Sequence, residues 1–184
     1  MRERTEGDVV ALLTAQHERI SQLLKGIHEQ HGDRSEQLDE LVRLLAVHET
    51  AEEEVVHRAA RRAEFGAEQM VNSRLAEENH AKQALSELYD LGVDSDEFDG
   101  RFDRFALALT EHAAQEEAAE FPLLRQQFSE TQLRRLADSV RLAESLAPTR
   151  PHPMTGASAV ANMVAGPPLA VFDRVRDLLR DHGR

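Results

Sequence analysis

Residues 38–59, LDELVRLLAVHETAEEEVVHRA, decide the fold because their apolar side chains recur at the spacing of an amphipathic helix. Steps of four and three residues alternate along one inward seam, which is formed by Leu41, Leu45, His48, Glu52, Val55 and Ala59. A histidine and a glutamate therefore occupy positions where a helical bundle normally has apolar side chains. This placement suggests a metal site, whereas a solvated acidic face would keep both residues outside the seam.

The rest of the chain repeats this helical spacing and predicts an all-α fold. Aromatic residues make up 4% of the 184 residues, and good helix formers dominate. We expect helices over about residues 8–31, from Asp33 to Gly66, on to Leu91, and from the segment 93–100 to about Phe128, with a kink near Pro122. Four helices of this length joined by short links predict an up-down antiparallel four-helix bundle.

Additional C-terminal helices follow the predicted bundle. A fifth helix over about 129–146 completes a domain that spans residues 1–146. Residues 147–184 combine a loop containing proline and glycine with a terminal helix, whose apolar stripe must pack on the bundle or on a partner chain. A homodimer formed through this terminal helix is therefore one expectation.

Composition excludes several classes of protein. The formal net charge of −12 opposes binding to nucleic acid, and no basic patch in the sequence compensates for it. No stretch is apolar enough for a membrane span, so we expect a cytoplasmic protein without a membrane partner. Because the chain has no cysteine, any metal must be bound by histidine or carboxylate ligands.

Each of the four bundle helices carries one histidine in its predicted seam. These are His17, His48, His80 and His112, and the second and fourth helices add Glu52 and Glu116 in the pattern HxxxE. The intervals from His48 to His112 and from Glu52 to Glu116 are both 64 residues, which suggests two related helical hairpins.

Burial of two carboxylates in an apolar bundle costs several kcal/mol each unless a cation compensates for the charge. Imidazole and carboxylate are the ligands of non-haem iron, and they also suit manganese or zinc. We assign His17 and His48 to one ion and His80 and His112 to the other, with Glu52 and Glu116 bridging. A purely structural site, for example with zinc, is an open alternative.

This ordered set of six residues resembles the hemerythrin-like HHE cation-binding domain family over about residues 8–146. The resemblance implies a four-helix bundle with two iron ions (Fe2+/Fe3+), ahead of manganese or zinc, and members that carry or sense oxygen, handle peroxide or nitric oxide, or store iron. Oxygen-carrying hemerythrins have two histidines one turn apart on the third helix. Here Ala76 and Ala84 flank His80, which weighs against reversible oxygen carriage.

Auxiliary residues and the functional interpretation complete the sequence-based expectations. Glu49, His57 and Glu77 are candidates for additional ligands or for residues lining the site, whereas Glu53, Glu54, Glu117 and Glu120 fit a solvated face. The leading function is binding or reduction of dioxygen, peroxide or nitric oxide in oxidative stress, including peroxidase, catalase-like or oxidase activity. The alternative is a non-catalytic iron or oxygen sensor, or an iron-storage protein.

Overall fold

A computed structural model describes residues 7–53 and 67–146, together with positions 57 and 61. All of the secondary structure in these ranges is helical, as the sequence predicts. The elements in chain order are α1 Val9–His28, α2 Arg34–Ala51, α3 Ala67–Leu91, α4 Phe98–Gln115, a π-helical turn Glu116–Glu120, α5 Phe121–Gln127 and α6 Glu130–Leu146. The expected terminal helix and the proposed dimer contact lie outside the described residues.

The helices begin and end near the capping residues and glycines that the sequence indicates. The Asp8 carboxylate accepts a hydrogen bond from the Ala11 backbone N–H at 2.9 Å, which caps α1. Asp33 caps α2 in the same way, by accepting from the N–H groups of Ser35 and Glu36. Gly92 follows the end of α3 with a φ of +78°, in the left-handed region that favours glycine.

The helices pack as connected pairs. α1 lies against α2 and α3 lies against α4, while contacts of α1 with α4 and of α2 with α3 join the two pairs. α6 packs across α1 and α2, so the predicted fifth helix is present and covers one side of that pair. These pairings are consistent with a helical bundle, and its up-down order stays a prediction. Within the described residues, no helix combines the length and apolar character needed to cross a membrane.

Two apolar clusters form the core and leave a polar layer between them. One contains Ile20, Leu45 and Leu109, and the other contains Leu13, Ala51 and Phe121. His17 lies between Leu13 of the second cluster and Ile20 of the first, and His48 lies between Leu45 of the first and Ala51 of the second. The sequence therefore encodes a buried polar layer with an apolar core on each side.

The predicted fourth helix is interrupted before Pro122. In the π-helical turn the backbone N–H of Phe121 bonds to the carbonyl of Glu116, and Pro122 lies in the first turn of α5. This wider turn adds one residue to the helical repeat. The inward positions consequently move by one residue, so that Glu120 and Leu124 are buried in place of the predicted Ala119 and Leu123.

Candidate metal centre

Two histidines and two glutamates from α1, α2 and the start of the π-helical turn converge in the polar layer. The Nε2 atom of His17 lies 3.1 Å from Nε2 of His48 and 3.3 Å from Oε2 of Glu116. His48 Nε2 lies 3.5 Å from Oε2 of Glu52. One ligand atom from each of these residues falls within 4.8 Å of the other three, which is compact enough for one ion.

A second group shares both glutamates with the first. It consists of Glu52, Glu78, His112 and Glu116, with one ligand atom from each again within 4.8 Å of the others. The Nε2 atom of His112 lies 3.1 Å from Oε1 of Glu116. Because Glu52 and Glu116 belong to both groups, the geometry fits two neighbouring ions bridged by carboxylates.

Each converging imidazole has a partner on its outer nitrogen. The Nδ1 atoms lie 2.8 Å from Glu117 Oε1 for His17, 2.7 Å from Gln16 Oε1 for His48 and 3.0 Å from Glu77 Oε2 for His112. Carboxylate and amide oxygens accept hydrogen bonds, so Nδ1 donates in each of these contacts and Nε2 faces the centre. Outer partners of this kind orient histidines that bind metals.

A wider helical turn begins at each of the two shared glutamates. Residues 52 and 53 have π-type geometry, and Glu116 opens the π-helical turn described above. Such turns are rare and occur frequently at functional sites. Each glutamate follows its histidine by four residues, so one α-helical turn brings both side chains to the same face before the backbone widens.

The donor atoms are suited to a cation because many of them are buried without a hydrogen-bond partner. Both carboxylate oxygens of Glu52 and of Glu116 are in this state, as is Nε2 of His112. Although His112 Nε2 is close to Glu116, the contact lacks the alignment of a hydrogen bond. A buried polar atom without a partner costs about 1–3 kcal/mol, and coordination to a cation would remove that cost.

Proton equilibria in the metal-free centre reflect this crowding of charge. Burial and the neighbouring carboxylate of Glu116 raise the pKa of Glu52 well above its usual range. Burial and the adjacent His17 lower the pKa of His48 to about 3. Burial also disfavours the charged form of His112, but contact with Glu116 outweighs it and raises that pKa to about 9. At neutral pH, His112 therefore retains a proton that a metal ion would displace.

His80 does not lie where the sequence predicts. Its side chain is exposed, and it belongs to neither group of converging ligands. Glu78 is the residue of α3 that faces the centre, with 1% of its surface exposed. Successive residues of an α-helix turn by about 100°, so a helix that directs Glu78 inward directs His80 outward. The structure therefore does not bring His80 together with the other predicted ligands, and its role as a metal ligand stays a prediction.

The three auxiliary candidates occupy different surroundings. Glu77 is partly buried and contacts Nδ1 of His112, so it lies outside the ligand groups. Glu49 is buried, with Oε2 lacking a hydrogen-bond partner, and burial together with Glu78 raises its pKa to about 8. His57 is buried with 1% of its surface exposed.

Four further residues of the site were missed or misplaced by the sequence. The seam spacing does not indicate Glu78, and Gln16 and Glu117 are hydrogen-bond partners of His48 and His17. Glu120 was expected on a solvated face but has 1% of its surface exposed. The sequence could have indicated a role for Gln16, because this residue adjoins His17 on a helix with few other polar residues at its inward positions. The burial of Glu120 depends on the π-helical turn, which the seam spacing does not reveal.

The chain belongs to the hemerythrin HHE cation-binding domain family, whose model matches residues 8–124. Searches of curated proteins and of solved structures found no match. Family membership, together with the two groups of histidine and glutamate ligands, defines a metal-binding protein for which iron is the usual ion.

Proposed function

We propose that this protein is a hemerythrin-like non-haem di-iron protein that binds or reduces a small oxidant such as dioxygen, peroxide or nitric oxide. The observation that carries the proposal is the pair of ligand groups that share Glu52 and Glu116. Two carboxylates common to two groups suit bridging between neighbouring ions, while imidazoles supply terminal ligands. His17, His48 and His112 would supply those imidazoles.

Iron bound in this set would supply a redox centre that also acts as a Lewis acid. The protein would hold the imidazoles in one orientation through Glu117, Gln16 and Glu77, and the two apolar clusters would exclude bulk water. Exclusion of water strengthens each electrostatic interaction in the layer and protects a reactive oxidant from side reactions.

A groove between α3 and α4 supports access by a small molecule. Its volume is about 790 Å³, and its lining includes the apolar side chains of Leu88, Phe105 and Leu109. His80 and His112 also line it. His112 belongs to the second ligand group, so the groove connects the surface to the neighbourhood of the centre. Charged side chains also line the groove, and its size would admit a diatomic molecule or peroxide.

Metal content and spectroscopy of the full chain test the proposal. We expect two iron ions per chain after anaerobic loading with Fe2+, and a change in the visible spectrum on exposure to dioxygen, peroxide or nitric oxide. His48→Ala should lose iron, whereas the matched variant His28→Ala, which changes an exposed histidine, should retain it. A loaded wild-type sample whose spectrum is unchanged by all three oxidants would overturn the proposed reaction.

Turnover distinguishes oxidant chemistry from sensing and storage. Peroxide consumption in excess of bound iron would support a peroxidase or catalase-like enzyme. Oxidation limited to the bound ions, without turnover, would favour a sensor. Accumulation of iron well beyond two ions per chain would instead favour storage.

A further inference from the structure

The groove between α3 and α4 is much larger than a small oxidant needs. Its volume of about 790 Å³ falls in the range of about 300–1,000 Å³ that is usual for sites of organic ligands. A diatomic molecule or peroxide is little larger than water, which occupies about 30 Å³ in the liquid. The lining extends along α4 from Arg101 to Gln115, a rise of roughly 20 Å. Access to the centre therefore does not account for most of this space.

The middle of the groove has an apolar floor. Leu88, Phe105 and Leu109 belong to the first apolar cluster of the core, and each of them also lines the groove. Three alanines with short side chains lie beside them and leave the floor open, namely Ala81, Ala84 and Ala108. Because removal of apolar surface from water is favourable, this floor suits the flat or extended apolar part of an organic molecule.

Most charged side chains of the lining already have a partner within the protein. Nη2 of Arg101 lies 2.7 Å from Oε2 of Glu97, and Nη1 of the same residue lies 3.8 Å from Oε2 of Glu87. Glu77, at the other end of the groove, is paired with Arg74. These pairs offset the charges of the groups that form them.

Arg104 and Glu111 differ from the other charged residues of the groove. Both are exposed and line it, and within the described part of the chain neither side chain forms an ion pair or a hydrogen bond. They are seven residues apart on α4, so two helical turns place them on one face, roughly 10 Å apart along the axis. Phe105 and Ala108 of the floor lie between them in the sequence. The groove therefore presents an unpaired cation and an unpaired anion on either side of an apolar floor.

We propose that this groove binds an organic zwitterion whose carboxylate contacts Arg104 and whose ammonium contacts Glu111. An apolar part between the two charges would cover Phe105 and Ala108. A planar guanidinium binds a carboxylate through two parallel N–H···O bonds, and the Glu111 carboxylate accepts from an ammonium. Neither anchoring residue belongs to a metal-ligand group, so the inference goes beyond the proposed function and does not depend on it.

The floor and the two charges have different roles in this site. Exposed ion pairs are screened by solvent and contribute little, so the apolar floor supplies most of the affinity. The charges select the ligand and fix its direction along the groove, because each end repels the group that the other end attracts. We therefore expect a modest loss of affinity when one charge is removed and a larger loss when the floor is covered.

A matched set of ligands tests the proposal on the purified full chain. The first ligand is a biphenyl with a carboxylate at one end and an aminomethyl group at the other, and its two analogues lack either the carboxylate or the amine. Calorimetry at low ionic strength should show one zwitterion bound per chain, with a dissociation constant of about 0.1–1 mM. The zwitterion should bind roughly 2- to 5-fold more tightly than either analogue.

Charge variants assign the two ends of the groove. Arg104→Gln should weaken binding of the zwitterion and of the carboxylate analogue by roughly 2- to 5-fold and leave the amine analogue unchanged. Glu111→Gln should weaken binding of the zwitterion and of the amine analogue instead. Each variant is thus the control for the other.

Covering the floor tests where the ligands bind. Ala108 is exposed and lines the groove between the two anchoring residues, so Ala108→Phe places a ring where the apolar part of the ligand would lie. This change should weaken binding of all three ligands by roughly 10-fold or more. Thr110→Phe, at an exposed position of α4 outside the lining, should leave all three affinities within about 2-fold of wild type. Circular dichroism checks the helix content of each variant.

The outcomes decide the proposal without reference to the metal centre. Equal affinity of wild type for the zwitterion and for either analogue would overturn it, and this comparison holds even where a variant fails to fold. Unchanged binding in Ala108→Phe, or weaker binding in Thr110→Phe, would place the ligands elsewhere and also overturn it. None of these results would affect the proposed metal chemistry, which iron content and spectroscopy test separately.

Discussion

Replacing Glu52 by glutamine should stabilise the metal-free protein at neutral pH, although this residue lies at the centre of the site. Glu52 has 1% of its surface exposed, and neither carboxylate oxygen has a hydrogen-bond partner. Burial raises its pKa well above the ordinary value of 4.5. The folded protein therefore keeps a proton at this residue over a pH range in which the unfolded chain releases it.

The sign and size of the effect follow from this difference in proton binding. An acid with a raised pKa in the folded state contributes its full stability below 4.5, and the contribution falls as pH rises towards the folded pKa. At 1.36 kcal/mol per pH unit, ionisation of the unfolded chain between pH 4.5 and pH 7 lowers the free energy of unfolding by at most about 3.4 kcal/mol. Glutamine has nearly the same shape but does not ionise, so Glu52→Gln should recover up to this amount at pH 7.

Urea unfolding of chelator-treated protein measures the difference. Wild type and Glu52→Gln are compared at pH 7 and at pH 4.5, and Glu18→Gln, which changes an exposed glutamate on α1, is the matched control. The gain should be present at pH 7, small at pH 4.5 and absent in the control. A variant that is less stable than wild type at pH 7, or a gain of the same size at both pH values, would refute the reasoning. With metal present the order should reverse, because binding to the folded state stabilises only a protein with an intact site.

Three other predictions concern the outer partners, the protons and the core. Glu117→Gln weakens the contact that orients His17 and should lower metal affinity by roughly 10- to 100-fold. Competition with a chelator measures this affinity. The free energy of unfolding of the metal-free protein should change little. Metal binding should release protons, and metal affinity should rise as pH rises towards 9, because the pKa of His112 is raised to about 9. Calorimetry in buffers of different ionisation enthalpy measures the number of protons released. A metal affinity that does not depend on pH would contradict this prediction. Phe102→Ala should lower the free energy of unfolding by about 3–5 kcal/mol in urea, whereas Leu107→Ala, at a position 61% exposed, should change it by less than about 0.5 kcal/mol. Equal effects of these two substitutions would contradict the assignment of the core.

Local sequence signals determined the helices and most of the polar layer. Asp8, Asp33 and Gly92 mark helix ends because capping depends on a few neighbouring residues. The four-residue spacing of His48 with Glu52 and of His112 with Glu116 places each pair on one helical face. This four-residue spacing places two side chains on the same face wherever the helix is unbroken.

Tertiary structure decided which additional side chains enter the layer. The rotation of α3 about its axis selects Glu78 over His80, and that rotation depends on packing against neighbouring helices. The π-helical turn after α4 moves the inward register by one residue and buries Glu120, although its local sequence, EEAAE, looks like an ordinary exposed helix. Sequence spacing thus determined the pairs within each helix, whereas the rotation and widening of the helices, set by contacts distant in sequence, decided which residues from different helices meet.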